Sequence, residues 1–109
     1  MTYEDLLALD SLTFDVTQED IDCGKRNQGD RCPIARAVNR TLGTETGSTW
    51  VHFPFPNVAL ATIQIAAKRP YYDDYVSFAH SPESRVFVDK FDHYEKVQPA
   101  TFTIKRIDQ

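Results

Sequence analysis

Residues 12–16 alternate between apolar and polar side chains in the order LTFDV. A period of two residues places the apolar members on one face of an extended chain, which is typical of a half-buried strand. Residues 101–107 repeat the pattern, with Phe102 and Ile104 on the face that we expect to be buried. Both segments are therefore predicted to be strands.

The clearest helical pattern covers residues 33–42, where Ile34, Val38 and Leu42 recur at every fourth position. This spacing lines one side of a helix with apolar side chains. The segment begins with proline, which is favoured at the first helical position because its missing N–H has no partner there. Gly43 is typical of the residue that follows a last helical turn, so the helix is predicted to end there.

Capping signatures predict three further helices. Thr2 followed by Asp5 indicates a short helix near the start of the sequence. Thr17 followed by Asp20 indicates a second brief helix. A Ser-Pro-Glu start precedes an apolar stripe over residues 82–93, which predicts the second main helix of the chain.

Three more apolar stretches, at 49–53, 58–67 and 75–79, are predicted to be strands. The alanines of 58–67 also allow a helix there, so the type of that element stays open. The polar, glycine-containing residues 24–31 are predicted to form a loop.

These elements indicate an α+β fold, a single small domain over residues 1–109 with a mostly antiparallel sheet. The two main helices, near 33–42 and 82–93, are expected to pack on that sheet. If the strand at 101–107 lies at a sheet edge, its unpaired N–H and C=O groups allow a homodimer through strand pairing.

Composition limits the class of protein. With 109 residues, 41% of them hydrophobic and 26% charged, the chain can bury a core and is not typical of disordered segments. No apolar run approaches the roughly 18 residues that span a bilayer, so no membrane partner is expected. The acidic start is not typical of a signal peptide, which predicts a cytoplasmic location and reduced cysteine thiols.

The net charge of −4 conceals a reversal of sign along the chain. Seven acids and no Lys or Arg lie in residues 1–22, whereas residues 23–43 hold five bases and one acid. Three of these bases lie in the predicted loop and two lie on the outer side of the predicted helix. All five are candidate binding residues: Lys25, Arg26, Arg31, Arg36 and Arg40.

Three interpretations of this basic segment stay open. The acidic N-terminal region can fold against the segment and neutralise it, an acidic protein partner can bind it, or nucleic acid can bind it. The acidic net charge of the whole chain disfavours nucleic acid, because domains that bind it are usually strongly basic.

Cys32 is the sharpest chemical candidate, because a thiol at a helix N-terminus near arginines tends towards the reactive thiolate. The alternative is a small buried residue that packs in the core, as most free cysteines do. A disulfide between Cys23 and Cys32 and a zinc site are weaker hypotheses, since the cysteines lie nine residues apart and the histidines are scattered. No phosphate loop, serine-nucleophile or zinc-protease motif is present, so neither enzyme activity nor a cofactor is expected.

Aromatic residues concentrate after residue 50, and several occupy predicted loops. Most are expected to pack in the core and the turns. Exposed aromatic residues on loops are frequent anchors of protein interfaces. Three of them are therefore candidate partner contacts: Phe55, Tyr71 and Tyr72.

Two blocks of sequence together resemble a known family. Residues 16–22 (VTQEDID) and 29–38 (GDRCPIARAV) form the first block, and residues 87–92 (FVDKFD) and 97–102 (VQPATF) form the second. The blocks are similar to the V-T-x-E-D-I opening, glycine loop, Cys-Pro-(Val/Ile)-Ala helix start and closing helix and strand of small uncharacterised phage and prophage proteins. The resemblance implies a phage or mobile-element origin and supplies no activity.

The principal functional hypothesis is a non-enzymatic phage or mobile-element accessory protein that binds a host protein in the host cytoplasm. An inhibitor of a host defence or regulatory complex is its concrete form. The alternative hypothesis is a nucleic-acid-binding regulator that uses the basic residues between positions 25 and 40. A third hypothesis is a thiol-dependent protein centred on Cys32.

Overall fold

A five-stranded antiparallel sheet and four helices make up the part of the chain that the computed structural model describes, residues 2–52, 62–67 and 75–107. The helices are α1 (Tyr3–Leu7), α2 (Gln18–Cys23), α3 (Pro33–Leu42) and α4 (Pro82–Asp92). The strands are β1 (Ser11–Val16), β2 (Thr49–Val51), β3 (Thr62–Ala66), β4 (Tyr75–Ala79) and β5 (Ala100–Arg106). This arrangement confirms the predicted α+β fold.

The strand order is β1-β5-β4-β3-β2, so β1 and β2 lie at the two edges of the sheet. β5 pairs with β1 from Ala100 to Lys105 and with β4 at Phe78↔Arg106 and Ala79↔Lys105. The condition set for a homodimer through this strand, a position at a sheet edge, is therefore not met. The strand pairs with β1 along most of its length and with β4 at residues 105 and 106.

One face of the sheet carries the core. Phe14 of β1 lies opposite Phe102 of β5, with ring centroids 6.0 Å apart, and Ile63 of β3 lies opposite Phe78 of β4. All four side chains are buried. The residues between them on β1 and β5 point to the other face and are exposed, which confirms the predicted alternation.

The helices form for the local reasons that the sequence indicated. Thr17 and Asp20 make a reciprocal capping box at the start of α2, and Gly43 adopts a left-handed φ of 72° after α3. α3 packs its apolar stripe against β1 and β2. α4 buries Phe87, whose ring meets that of Phe102 edge-on at 5.4 Å.

The second half of the described chain follows the predicted strands. Within the stretch at 58–67, whose type stayed open, residues 62–66 form β3 and are a strand. The stretches at 49–53 and 75–79 correspond to β2 and β4. Residues 53–61 lie outside the described residues.

The 24–31 loop connects α2 to α3 and contacts both α4 and β2. The Asn27 N–H donates to the Asp92 carboxylate at 3.0 Å, and the Val51 N–H donates to the Gly29 carbonyl at 2.8 Å. Glycine permits this approach, because a Cβ at position 29 would lie 2.3 Å from the Val51 carbonyl oxygen. The loop therefore brings β2 and the end of α4 together, and three of the candidate binding residues lie on it: Lys25, Arg26 and Arg31.

Candidate binding site around the 24–31 loop

Two of the five candidate bases pair with the acidic N-terminal region. Arg40 donates from Nη1 to Asp20 Oδ1 at 2.6 Å and from Nη2 to Asp20 Oδ2 at 2.8 Å. Arg36 lies 3.6 Å from the same carboxylate and 3.9 Å from that of Glu19. Internal neutralisation, one of the three interpretations of the basic segment, therefore accounts for Arg36 and Arg40.

Asp20 is fully buried, and its charge state follows from its partners. Burial raises the pKa of this carboxyl group, whereas hydrogen bonds from Arg40 and Thr17 lower it. The bonds outweigh burial, so the pKa lies below its ordinary value and Asp20 is a carboxylate at neutral pH. The same carboxylate accepts the backbone N–H of Thr17 at 2.9 Å and so caps α2.

The other three bases lie on the loop and are exposed to solvent. Neither Lys25 nor Arg31 pairs with an acid in the described part of the chain. Arg26 is held in place, because its Nε donates to the Phe91 carbonyl at 3.0 Å. Its guanidinium also lies 4.7 Å from the Phe91 ring and 4.4 Å from the Tyr94 ring. The carbonyl belongs to the last turn of α4, where the helix dipole favours a cation.

Tyr94 is unusual in both backbone conformation and exposure. The Glu95 N–H donates to the Lys90 carbonyl, and the Tyr94 N–H donates to the Phe91 carbonyl, which is the Schellman pattern at a helix end. The pattern places Tyr94 at a left-handed φ of 65°, where glycine is the usual residue. Its side chain is 77% exposed. A backbone conformation that costs about 1 kcal/mol for an L-residue thus holds an aromatic ring in solvent.

Arg26 and Tyr94 border a groove of about 290 Å³. The remaining lining residues come from α2, from α4 and from the segment after it: Gln18, Ile21, Phe91, Glu95, Lys96, Val97 and Gln98. We call Arg26, Tyr94 and this groove the Arg26–Tyr94 surface. The sequence identified Arg26 as a candidate but not Tyr94. One sequence signal could have identified Tyr94: the apolar stripe of the 82–93 helix ends without a glycine after it.

A second cleft, of about 280 Å³, lies between the 24–31 loop, β2 and α4. Trp50 and His52 contribute two aromatic rings with centroids 6.1 Å apart, and His52 Nε2 bonds to Gln64 Oε1 at 2.7 Å. A carboxylate, two amides and several small or apolar residues complete the lining: Asn27, Gln28, Gly29, Cys32, Val51, Val88 and Asp92. We call this cavity the Trp50 cleft.

The Cys32 thiol is buried at this cleft and lies 3.9 Å from the Gly29 carbonyl oxygen. Burial raises the pKa of the thiol to about 12 and outweighs the backbone N–H groups of Ala35 and Ile34, which favour the thiolate. The burial of Cys32 confirms the alternative of a small buried residue, and the raised pKa disfavours a reactive thiolate there. Cys23 is exposed, and both cysteines are free thiols.

Alkylation rates should separate the two cysteines. In the native protein at neutral pH, we expect iodoacetamide to modify Cys23 at the rate of a free thiol and Cys32 at least about tenfold more slowly. The reason is that reaction at Cys32 requires both exposure and deprotonation of a buried group. Mass spectrometry of tryptic peptides over time measures both rates. The rates should converge in denaturant, and a faster reaction at Cys32 than at Cys23 in the folded protein would contradict the prediction.

The aromatic candidates Phe55, Tyr71 and Tyr72 lie outside the described residues. Within the described ranges, no group of three or more His, Cys, Asp or Glu side chains is arranged to hold a metal ion. The helices of those ranges also lack the combined length and apolar character that crossing a membrane requires.

Comparison of the chain with protein-family models, with curated proteins and with solved structures finds no match. The resemblance to phage proteins therefore stays a prediction. The Arg26–Tyr94 surface and the Trp50 cleft are accordingly the basis of the functional proposals.

Proposed function

We propose that the protein is a non-enzymatic binding protein that recognises another protein through the Arg26–Tyr94 surface. The observation that carries this proposal is the exposed Tyr94 ring, which has a left-handed backbone and stacks at 4.4 Å on the Arg26 guanidinium. Tyrosine and arginine are strongly enriched among the residues that dominate binding energy at interfaces. Backbone strain of this kind is typical of functional positions.

The surface is organised before a partner arrives. The Arg26 guanidinium lies between two rings, and its Nε is bonded to a backbone carbonyl. A side chain that is already fixed loses little rotamer freedom on binding, which favours affinity. Its Nη groups make no hydrogen bond to the described residues and are free to donate to a partner. The groove beside it offers Ile21 and Val97 as apolar contacts for a partner side chain.

The partner segment is expected to carry a carboxylate. A guanidinium with free donors pairs with a carboxylate through two parallel hydrogen bonds. Lys25 on the loop and Lys96 in the groove add positive charge near Arg26. The resemblance to phage proteins makes a host protein the first partner to examine. An inhibitor of a host defence or regulatory complex is the concrete form of the proposal.

Nucleic-acid binding is the second candidate and has less support. Asp20 engages Arg36 and Arg40, which leaves three of the five candidate bases without an acidic partner among the described residues. Sequence-independent phosphate binding strengthens with the number of cations available, and the net charge here is −4. A salt-series titration against duplex and single-stranded nucleic acid tests this candidate. Tight binding at low salt that weakens steeply with added salt would favour it over a protein partner.

The Tyr94→Gly variant should separate binding from folding. Glycine adopts the left-handed conformation without strain, so the relief of strain should offset the loss of stacking on Arg26. We expect the midpoint of thermal unfolding to stay within about 2 °C of wild type or to rise. Partner capture is expected to fall at least about tenfold, since the exposed ring is the proposed anchor. Wild type and variant are compared as baits in host lysate by quantitative mass spectrometry, followed by titration of the purified partner.

Val86→Ala is the matched control. Val86 is an exposed apolar residue of α4 that does not line the Arg26–Tyr94 surface. Its truncation should leave capture unchanged. A host protein that wild type and Val86→Ala retain and Tyr94→Gly loses would support the proposal. Equal capture by wild type and a folded Tyr94→Gly would refute the proposed surface.

A further inference from the structure

The Trp50 cleft contains a carboxylate that forms no ion pair with a described residue. Asp92 is the acid of its lining, and neither Lys nor Arg lines this cavity in the described part of the chain. The Asp92 Oδ1 accepts the Asn27 N–H at 3.0 Å, and this is the one hydrogen bond of the carboxylate to the described residues. A carboxylate offers about four acceptor positions on its two oxygens. Asp92 therefore keeps acceptor capacity for a ligand.

The charge of Asp92 acts on the inner wall of the cleft. Cys32 lines the same cavity and is buried, and the carboxylate of Asp92 is one of the causes that raise the pKa of its thiol. Coulomb energy falls with distance, so the carboxylate and the thiol are close. Asp92 is half-buried, and a negative charge that is partly removed from water attracts a cation more strongly than a fully solvated one.

Asp92 also lies at the end of a helix that favours positive charge. It is the last residue of α4, where the helix dipole is negative and an acid is unfavourable. Lys90 lies in the same turn but does not line the cleft. Arg26 bonds to the Phe91 carbonyl and forms no ion pair with Asp92. A cation in the cleft would interact favourably with both the carboxylate and the helix end.

We propose that the Trp50 cleft holds an arginine side chain of the partner protein, with its guanidinium on Asp92. A guanidinium donates two parallel N–H bonds to one carboxylate. Its other N–H groups match the oxygens of the two side-chain amides in the lining. Val51 and Val88 line the cavity as well and offer apolar contact to the methylene groups of arginine. Lysine is a poorer match, because its ammonium lacks the planar array of donors.

This inference rests on the proposed function and adds to it a second contact of opposite charge. Arg26 and Asn27 are consecutive on the loop, and they bond to Phe91 and Asp92, which are consecutive on α4. The cleft and the Arg26–Tyr94 surface are therefore neighbours. A partner segment that carries a carboxylate and an arginine a few residues apart matches the sign of charge at both places. The pair of contacts would also fix the direction in which the segment binds.

N-acetylarginine amide is the probe, and nuclear magnetic resonance of the isotope-labelled protein at neutral pH follows its binding. Both ends of this molecule are neutral, so it presents the side chain alone. We expect a saturable shift of the Asn27 amide signal, because this N–H bonds to the carboxylate that takes the guanidinium. N-acetylcitrulline amide has nearly the same shape without the charge and should bind at least about tenfold more weakly. N-acetyllysine amide should also bind more weakly than the arginine probe.

Two substitutions on α4 form a matched pair. Asp92→Asn and Asp89→Asn each remove one negative charge, and of the two positions only 92 lines the cleft. The amide oxygen that Asp92→Asn introduces can still accept the Asn27 N–H, so the loop should keep its position. We expect the arginine probe to bind Asp92→Asn about tenfold more weakly and Asp89→Asn as tightly as wild type.

Several outcomes would overturn the arginine site. They are no saturable shift up to high millimolar concentration, equal affinity for the citrulline or lysine probe, and unchanged affinity in a folded Asp92→Asn. Tighter binding of free L-arginine than of the capped probe would assign the cleft to a small molecule instead of a partner side chain. If circular dichroism finds Asp92→Asn unfolded, the comparison of the arginine and citrulline probes on wild-type protein decides.

The test of the cleft is separate from the test of the Arg26–Tyr94 surface. Tyr94→Gly should bind the arginine probe as tightly as wild type, since Tyr94 does not line the cleft. Failure of the probe to bind would remove the arginine site and leave the result of capture by Tyr94→Gly unchanged. Equal capture by Tyr94→Gly and wild type would refute the proposed surface and leave the probe titration as it is.

Discussion

The Asp20→Ala variant is expected to lose about 3 kcal/mol of its free energy of unfolding. The substitution removes a fully buried carboxylate that accepts two hydrogen bonds from Arg40 and lies near Arg36. It also removes the acceptor that caps the Thr17 N–H at the start of α2. Deletion of one partner of a buried pair costs about 3–5 kcal/mol, and loss of a cap costs about 1 kcal/mol. The lower end of the roughly 3–5 kcal/mol range applies because Arg36 and Arg40 are partly exposed. Water can solvate their guanidinium groups once the carboxylate is removed.

Chemical denaturation followed by circular dichroism measures this loss, and Glu19→Ala is the matched control. Glu19 is the adjacent acid of α2, is largely exposed and lies 3.9 Å from Arg36. We expect this variant to change stability by less than about 0.5 kcal/mol. Similar losses in the two variants would contradict the prediction, because they would assign the effect to α2 itself instead of the buried carboxylate.

Acidification from pH 7 to about pH 4 is expected to lower stability by up to about 3 kcal/mol through His80. His80 Nδ1 bonds to Ser84 Oγ at 2.9 Å, and Nε2 is buried without a hydrogen-bond partner in the described residues. The Ser84 hydroxyl already donates to the Ser81 carbonyl, so Nδ1 carries the proton and Nε2 is the atom that acid would charge. Burial, with a contribution from Arg85, lowers the pKa of His80 to about 4.

The direction of this effect follows from which state of the chain, folded or unfolded, binds the proton more readily. The unfolded chain takes up a proton at His80 near a pKa of 6.5, and the folded chain does so only near 4. The unfolded state therefore holds more protons between these values, and acid favours unfolding. His93 acts in the opposite direction, since its bond to the Asp89 carbonyl raises its pKa, but it is exposed and screened by water. Asp20, with its lowered pKa, loses its contribution only in stronger acid.

The His80→Asn variant should show a flatter dependence of stability on pH. An amide at this position can donate to Ser84 Oγ, and it does not titrate. Denaturation curves for both proteins between pH 7 and about pH 4.5 give the two slopes. A slope of wild-type size in a folded His80→Asn would assign the effect to other groups and would contradict the prediction.

The secondary structure was predictable because its signals are local. The capping pair of Thr17 and Asp20 and the alternation at 12–16 depend on residues a few positions apart, and both predicted elements are present. The alternation at 101–107 predicted which face of β5 is buried, but not that β5 lies inside the sheet. Central and edge strands of a one-sided sheet have the same alternation, so the pattern carries no information on pairing.

The candidate site was only partly predictable, for a related reason. The run of bases after Cys23 was evident, but the partner of Arg36 and Arg40 was not, since Asp20 reaches them only when α2 packs against α3. The high pKa of a thiol also depends on burial, which a helix N-terminus alone does not reveal. The position of Cys32 at a helix start indicated a reactive thiol, whereas its burial raises the pKa of that thiol.

By itself, the sequence determined the helices, the strands other than β3, and the segregation of acidic and basic residues. Those properties arise from capping residues, from the spacing of apolar positions and from the charge of short stretches of chain. Only the tertiary structure decided which bases are neutralised, that Tyr94 stacks on Arg26, and that Trp50 and Asp92 share a cleft. Each of these depends on contacts between residues far apart in the chain, and a linear pattern cannot specify such contacts.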